Sequence, residues 1–87
     1  DLEIRQAVTT LTNALETLKS QQRNMELARE VERVTRIKYQ QGVGSNLEVV
    51  TAVADYREAE TNYYTALYDA LIARVDYQKA TGTLLQP

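Results

Sequence analysis

Steps of three and four residues taken alternately from Val49 meet an apolar side chain every time, at Val49, Ala52, Tyr56, Ala59, Tyr63, Ala66, Ala70, Ala73, Tyr77, Ala80 and Leu84. With 44% apolar residues in the chain, such a run arises by chance on the order of once in ten thousand trials per register, so the segment reads as a heptad-patterned helix. Alanine recurs at every seventh residue, at 52, 59, 66, 73 and 80. Small side chains in a seam let a neighbouring helix axis come close, with the tyrosine rings packing beside the contact. A second strip, Val50, Val53, Tyr64, Leu67, Leu71 and Val75 with Tyr68 and Ile72 beside it, lies on another side of the same helix. One partner helix cannot cover both strips. The segment from Tyr63 to Val75 therefore predicts contact with two or more neighbours.

The first half carries a looser version of the pattern. Ile4, Val8, Leu11, Leu15, Leu18, Gln22 and Met25 form one seam, with Ala7, Ala14 and Ala28 beside it. After Met25 the stripe moves to Leu27, Val31 and Val34, a change of phase of the stammer kind. Helix breakers are few: Gly42 and Gly44 near the middle, Gly82 and Pro87 at the end. This spacing predicts an all-α fold, a long antiparallel two-helix coiled-coil hairpin forming one unit over 1–87. Helix one covers about 2–41, the turn 42–45 and helix two about 46–81. At about 1.5 Å per residue each arm is roughly 55–60 Å long, too long to wrap a compact core.

The turn has the chemistry for both helix ends. Gly42 suits the left-handed position that closes a helix, and Arg33, Arg36 and Lys38 before it complement the negative end of the helix dipole. Ser45 followed by Glu48 is a capping box for the second helix. Gly82 predicts where that helix stops. Such a hairpin buries little surface for the number of residues it orders, so it is expected to associate, with copies of itself or with the rest of a longer protein.

Composition removes most chemistry. The chain has no Cys, His, Trp or Phe, so the usual zinc, haem and iron-sulfur ligand sets are missing, as are the Ser-His and Cys-His nucleophile pairs. No enzymatic activity, cofactor or metal is expected. The 12 acidic and 10 basic residues are interspersed, for a formal net charge of -2, which gives no electrostatic footprint for nucleic acid. No apolar run approaches the ~20 residues of a membrane-spanning helix, so neither such a helix nor a signal peptide is expected, and a soluble segment without membrane contact is. Residues 46–87 carry three basic and six acidic side chains. The hairpin is expected to set Arg29 and Arg33 roughly across from Asp55 and Glu58, as surface pairs of ~0.2–1 kcal/mol each. Tyr56, Tyr63 and Tyr77 lie on the seam and read as packing residues rather than a stacking surface for bases.

The stretch Arg36-Ile37-Lys38-Tyr39-Gln40-Gln41-Gly42-Val43-Gly44-Ser45-Asn46-Leu47-Glu48-Val49-Val50-Thr51-Ala52 and the ending Lys79-Ala80-Thr81-Gly82-Thr83-Leu84 resemble the TolC-type outer-membrane efflux proteins. The resemblance covers nearly the whole chain. Its most specific part is the aromatic-x-x-Gly turn with its hydrophobic-acidic-Val continuation. The ending is similar to that of the C-terminal of the family's two internal repeats. The resemblance implies a trimeric duct, with a β-barrel in the outer membrane continued by an α-helical barrel across the periplasm. Drugs, metals or secreted proteins pass through it, driven by an inner-membrane pump that an adaptor protein connects to the hairpin tips. This chain would be the lower part of one hairpin, a soluble segment excised or engineered from such a protein.

The same resemblance implies site residues. The tip, Gly42, Val43, Gly44, Ser45 and Asn46, would dock the adaptor; the plain alternative is that these are turn formers, which accounts for all but Val43. Glu48 would line the entrance constriction, three copies collecting cations around the trimer axis. Alternatively it only closes the capping box, and both roles are compatible. Tyr39 matches an aromatic that ties neighbouring hairpins together in the closed state, or is a packing residue at the hairpin end. Thr51 is neutral where a second acidic ring can occur, which weakens the expectation of cation selectivity. Gly44 replaces a basic gate-linking residue of some relatives, leaving Arg36 or Lys38 as candidates for a closed-state lock. Gln41 departs from the small apolar residue that often precedes the turn glycine, so adaptor specificity stays open. Two alternatives remain: the coiled-coil hairpin of a periplasmic adaptor, which presents an Arg-x-x-x-Leu-type pattern at its tip, and a purely structural four-helix assembly of two hairpins.

Overall fold

Capping chemistry sets the ends of the helices. In a computed structural model, which describes residues 1–85, with side-chain burial described as far as Gly82, α1 spans Leu2–Gln40 and α2 spans Asn46–Leu85. The Asp1 side chain accepts from the Glu3 N–H at 3.0 Å, satisfying a donor that the first turn leaves free. At the other end of α1, Gly42 takes φ 78. The Gly42 N–H donates to the Tyr39 carbonyl at 3.0 Å and the Val43 N–H to the Lys38 carbonyl at 2.9 Å, the paired bonds of a Schellman motif. The Ser45 hydroxyl then accepts from the Glu48 N–H at 3.2 Å and opens α2. The two helices run antiparallel against each other as one rod of 68 × 13 × 13 Å. There is no strand among the described residues.

Gly82 does not stop α2, as the sequence pattern suggested; the helix runs through it to Leu85. Gly42 is the glycine with a positive φ, and an isolated helical glycine costs only about 1 kcal/mol, too little to end a long helix. The Thr81 hydroxyl beside it donates back to the Tyr77 carbonyl at 3.0 Å. A Cβ at Gly82 would meet nothing within 4 Å. Gly82→Ala is therefore expected to raise stability by about 0.5–1 kcal/mol in thermal unfolding. A lower melting temperature would mean that a left-handed stop exists there after all.

The α2 heptad faces α1. Ala52, Ala66, Ala70 and Ala73 are buried, and Val49, Tyr56, Ala59, Tyr63, Tyr77 and Ala80 are half-buried; the side chain of Leu84 lies outside the described residues. The seam on α1 differs from the one the large side chains suggested. Its inward positions are Ile4, Ala7, Leu11, Ala14, Leu18, Gln21, Met25, Ala28, Glu32 and Thr35, one unbroken heptad with no stammer. Val8, Leu15, Leu27, Val31 and Val34 face out, as does Gln22. Within this heptad Ala7, Ala14 and Ala28 alternate with Ile4, Leu11, Leu18 and Met25, so small residues share the inner face with larger ones and let the helices come close, while Val8 and Leu15 lie on its flank.

Toward the turn the α1 seam is partly polar without leaving unpaired groups. The Glu32 side chain, 16% exposed, accepts from Arg36 Nε at 2.8 Å, and the Thr35 hydroxyl donates to the Val31 carbonyl at 2.6 Å. Only alanines are buried among the described residues, and none of the large side chains is fully covered. The hairpin thus buries Ala52, Ala66, Ala70 and Ala73 in the helix–helix contact, half-covers Ile4, Leu11, Leu18, Met25 and the seam tyrosines, and leaves most of its other large apolar residues facing outward.

Candidate docking tip and hairpin flanks

The tip is assembled by the two caps. Val43 is 75% exposed and Leu47 73%, and Ser45, Asn46 and Glu48 are open to solvent. Gly44 is packed, and it is not the left-handed residue. A Cβ placed on it would lie 3.3 Å from a Glu48 carboxylate oxygen, 3.4 Å from the Lys38 Cβ and 3.5 Å from the Tyr39 nitrogen. The fold therefore gathers Gly44, Glu48, Lys38 and the Tyr39 backbone at one point, while the Tyr39 ring stays half exposed at the hairpin end. The Glu48 carboxylate leans over Gly44, and its backbone N–H caps α2. Beside the tip, Val31, Leu47, Thr51, Glu48 and Asp55 line a shallow groove of about 350 Å³, apolar at its floor and acidic at its rim.

The charges pair differently from the expected cross-hairpin scheme. Arg33 pairs with Glu30 and Arg36 with Glu32, both within α1. Arg29 reaches across to α2, but to Tyr56 rather than to an acid. Its Nε donates to the Tyr56 hydroxyl at 3.3 Å, and the guanidinium lies 5.7 Å from the ring centroid. That hydrogen bond holds the Arg29 guanidinium still further into its charged range, while the Arg33 hydrogen bond holds the Glu30 carboxyl below its usual range. A depressed carboxyl pKa stabilises the fold above its unfolded value and is lost as the pH falls through the folded one. The pair is exposed, so acid should weaken the hairpin little through this contact. Arg36, a candidate for a closed-state lock, is occupied by Glu32; Lys38 is exposed.

Along the rod the two flanks are unlike. On one flank, far from the turn, Leu15, Leu18, Leu67, Leu71 and Tyr77 line an apolar groove of about 330 Å³, with Arg74 at its edge. The apolar surface continues around the back of α2 through Tyr64, Tyr68, Ile72 and Val75, all exposed; Tyr64 is held edge-on to Tyr63, with ring centroids 5.2 Å apart. The opposite flank at the same level presents Asn13, Thr17 and Asp69, then Glu3 and Asp76. Nearer the turn that polar flank becomes apolar, with Leu27, Val31 and Val34 exposed. The hairpin therefore carries two apolar patches, on opposite flanks and in opposite halves of the rod.

The Arg29–Tyr56 bridge and this diagonal layout are the features that the linear pattern did not reveal. Counting back from the turn places residue 29 near residue 56, which signals the contact, but opposite-charge pairing favours the wrong partner. Comparison with known protein families, curated proteins and solved structures returns no match. Among the described residues no helix is long and apolar enough to cross a membrane.

Proposed function

We propose that this chain is a periplasmic helical-hairpin segment of a trimeric outer-membrane efflux or secretion duct, with its turn at the periplasmic entrance. There the adaptor of a tripartite pump docks on Gly42, Val43, Gly44, Ser45 and Asn46. The observation that carries the reading is the pair of apolar patches on opposite flanks. A stave in a closed helical wall needs a neighbour on each side, whereas a four-helix assembly of two hairpins needs one apolar flank only. The turn sequence supports it through its resemblance to the TolC-type proteins, and the open Val43 and Leu47 support an end-on partner.

In the same reading Glu48 stands at the entrance constriction, one copy per protomer, and draws cations. Its carboxylate is free to do so because the cap is made by its backbone N–H. Ion-conducting trimers in planar bilayers are the expected result for the longer protein that contains this hairpin; a protein that forms no channel removes the duct reading. Glu48→Gln in that trimer is expected to lower cation preference in single-channel recordings with the fold unchanged. Selectivity equal to wild type would leave Glu48 as part of a helix cap and nothing more.

A further inference from the structure

The apolar flank far from the turn matches the largest apolar patches that single soluble chains expose, which are often functional. Tyr64 is 58% and Tyr68 65% exposed, which leaves on the order of 250 Å² of ring surface uncovered, given the 150–250 Å² a large aromatic presents. Leu71, Leu15, Ile72 and Val75 are each about half exposed beside them. Together they make a patch on the order of 600 Å², at the upper edge of what single soluble chains expose. With its polar rim it approaches the ~800 Å² per partner of a stable interface.

The identity of the occupant follows from the mismatch between the flanks. A copy laid alongside in the same register would press this patch against Asn13, Thr17, Asp69 and Asp76. A copy related by a two-fold axis brings the apolar patch onto its own equivalent, because such an interface uses the same surface twice. We propose that two copies of this chain associate through a two-fold axis, each covering the Leu15–Leu71 flank of the other and the adjoining Tyr64–Tyr68 surface of α2, as a four-helix dimer. The proposal concerns the 87-residue chain alone and does not rest on the duct reading, in which a hairpin of different sequence would occupy the flank.

Sedimentation of the chain at micromolar concentrations is expected to give twice the 9.9 kDa of one copy. Leu71→Lys, a residue 51% exposed in the hairpin, should halve that mass and weaken association at least about tenfold. Leu47→Lys, near the turn and outside the patch, should leave the dimer intact. Because the chain has no cysteine, single cysteines report the geometry even where Leu71→Lys loses helicity. With a short bis-maleimide, Leu71→Cys should cross-link into dimers and Thr17→Cys on the polar flank should not. A monomeric wild-type chain, a trimer or larger species, a dimer that survives Leu71→Lys, or cross-linking at residue 17 in preference to residue 71 would each overturn the proposal. None of these outcomes bears on whether the longer protein conducts ions.

Discussion

Ala66→Leu is expected to lower the unfolding free energy of the hairpin by about 1–3 kcal/mol, through overpacking of the seam. Ala66 is 4% exposed, with Ala73 at 4% and Ala70 at 5% close by on the same face. These alanines let α1 lie close to α2, so a leucine there must either push the helices apart or leave its preferred rotamer. Separation at one level would also loosen the contacts of Ala70 and Ala73 beside it, and among the described residues no larger side chain is buried that could absorb the loss. For a unit of this size each kcal/mol lowers the melting temperature by roughly 4–8 °C. Ala54→Leu, on the exposed back of α2, makes the same chemical change without the steric one and should leave the melting curve within a few degrees. Equal melting temperatures for the two variants would show that the alanine column is not a close contact.

That contrast also marks how far the linear pattern could be read. The α2 seam was legible because apolar residues occupy every step of the heptad and few competing positions imitate it as completely. The α1 seam was legible at Ile4, Leu11, Leu18 and Met25 but not between them, where Ala7, Ala14 and Gln21 rather than Val8, Leu15 and Gln22 turn inward. Val8 and Leu15 look like core residues in a list, yet Ala7 and Ala14 take the inward places and Leu15 instead forms one wall of a groove. Glu32 and Thr35 face inward against their polarity because Arg36 and the Val31 carbonyl satisfy them locally. The supposed slip after Met25 is where the exposed patch of Leu27, Val31 and Val34 begins. Gly42 and Ser45 were legible as caps since each has one backbone task, whereas Gly82 has none and the helix passes through it. The Arg29 contact was missed for a further reason: charge pairing on an exposed surface is worth too little to set the register, and a guanidinium finds a tyrosine as readily as a carboxylate.

The caps also decide which tip substitution separates folding from docking. Gly44 is a poor probe, because any side chain there meets the Glu48 carboxylate and the end of α1; a loss of function would mix local strain with a lost partner. An asparagine gains nothing from its tolerance of left-handed backbone, since the left-handed residue is Gly42. Val43 is the better site. Its backbone N–H closes the Schellman motif through the Lys38 carbonyl, a bond that any residue but proline can make, and its side chain is 75% exposed. Val43→Arg is therefore expected to leave the melting curve of the hairpin and the trimer of the longer protein unchanged. If an adaptor covers the tip, the same change buries an unmatched guanidinium at the contact, at a cost of about 2–5 kcal/mol, and docking should weaken by more than tenfold. Efflux in cells should fall accordingly, and a pull-down of the adaptor from detergent extracts should lose the complex. In an assembly of two hairpins with no channel the turn stands free in solvent, and Val43→Arg should be silent in both assays. Normal efflux and normal adaptor recovery by Val43→Arg would remove the tip from the docking surface and move the search for the partner's contact to the groove beside Leu47 and Asp55.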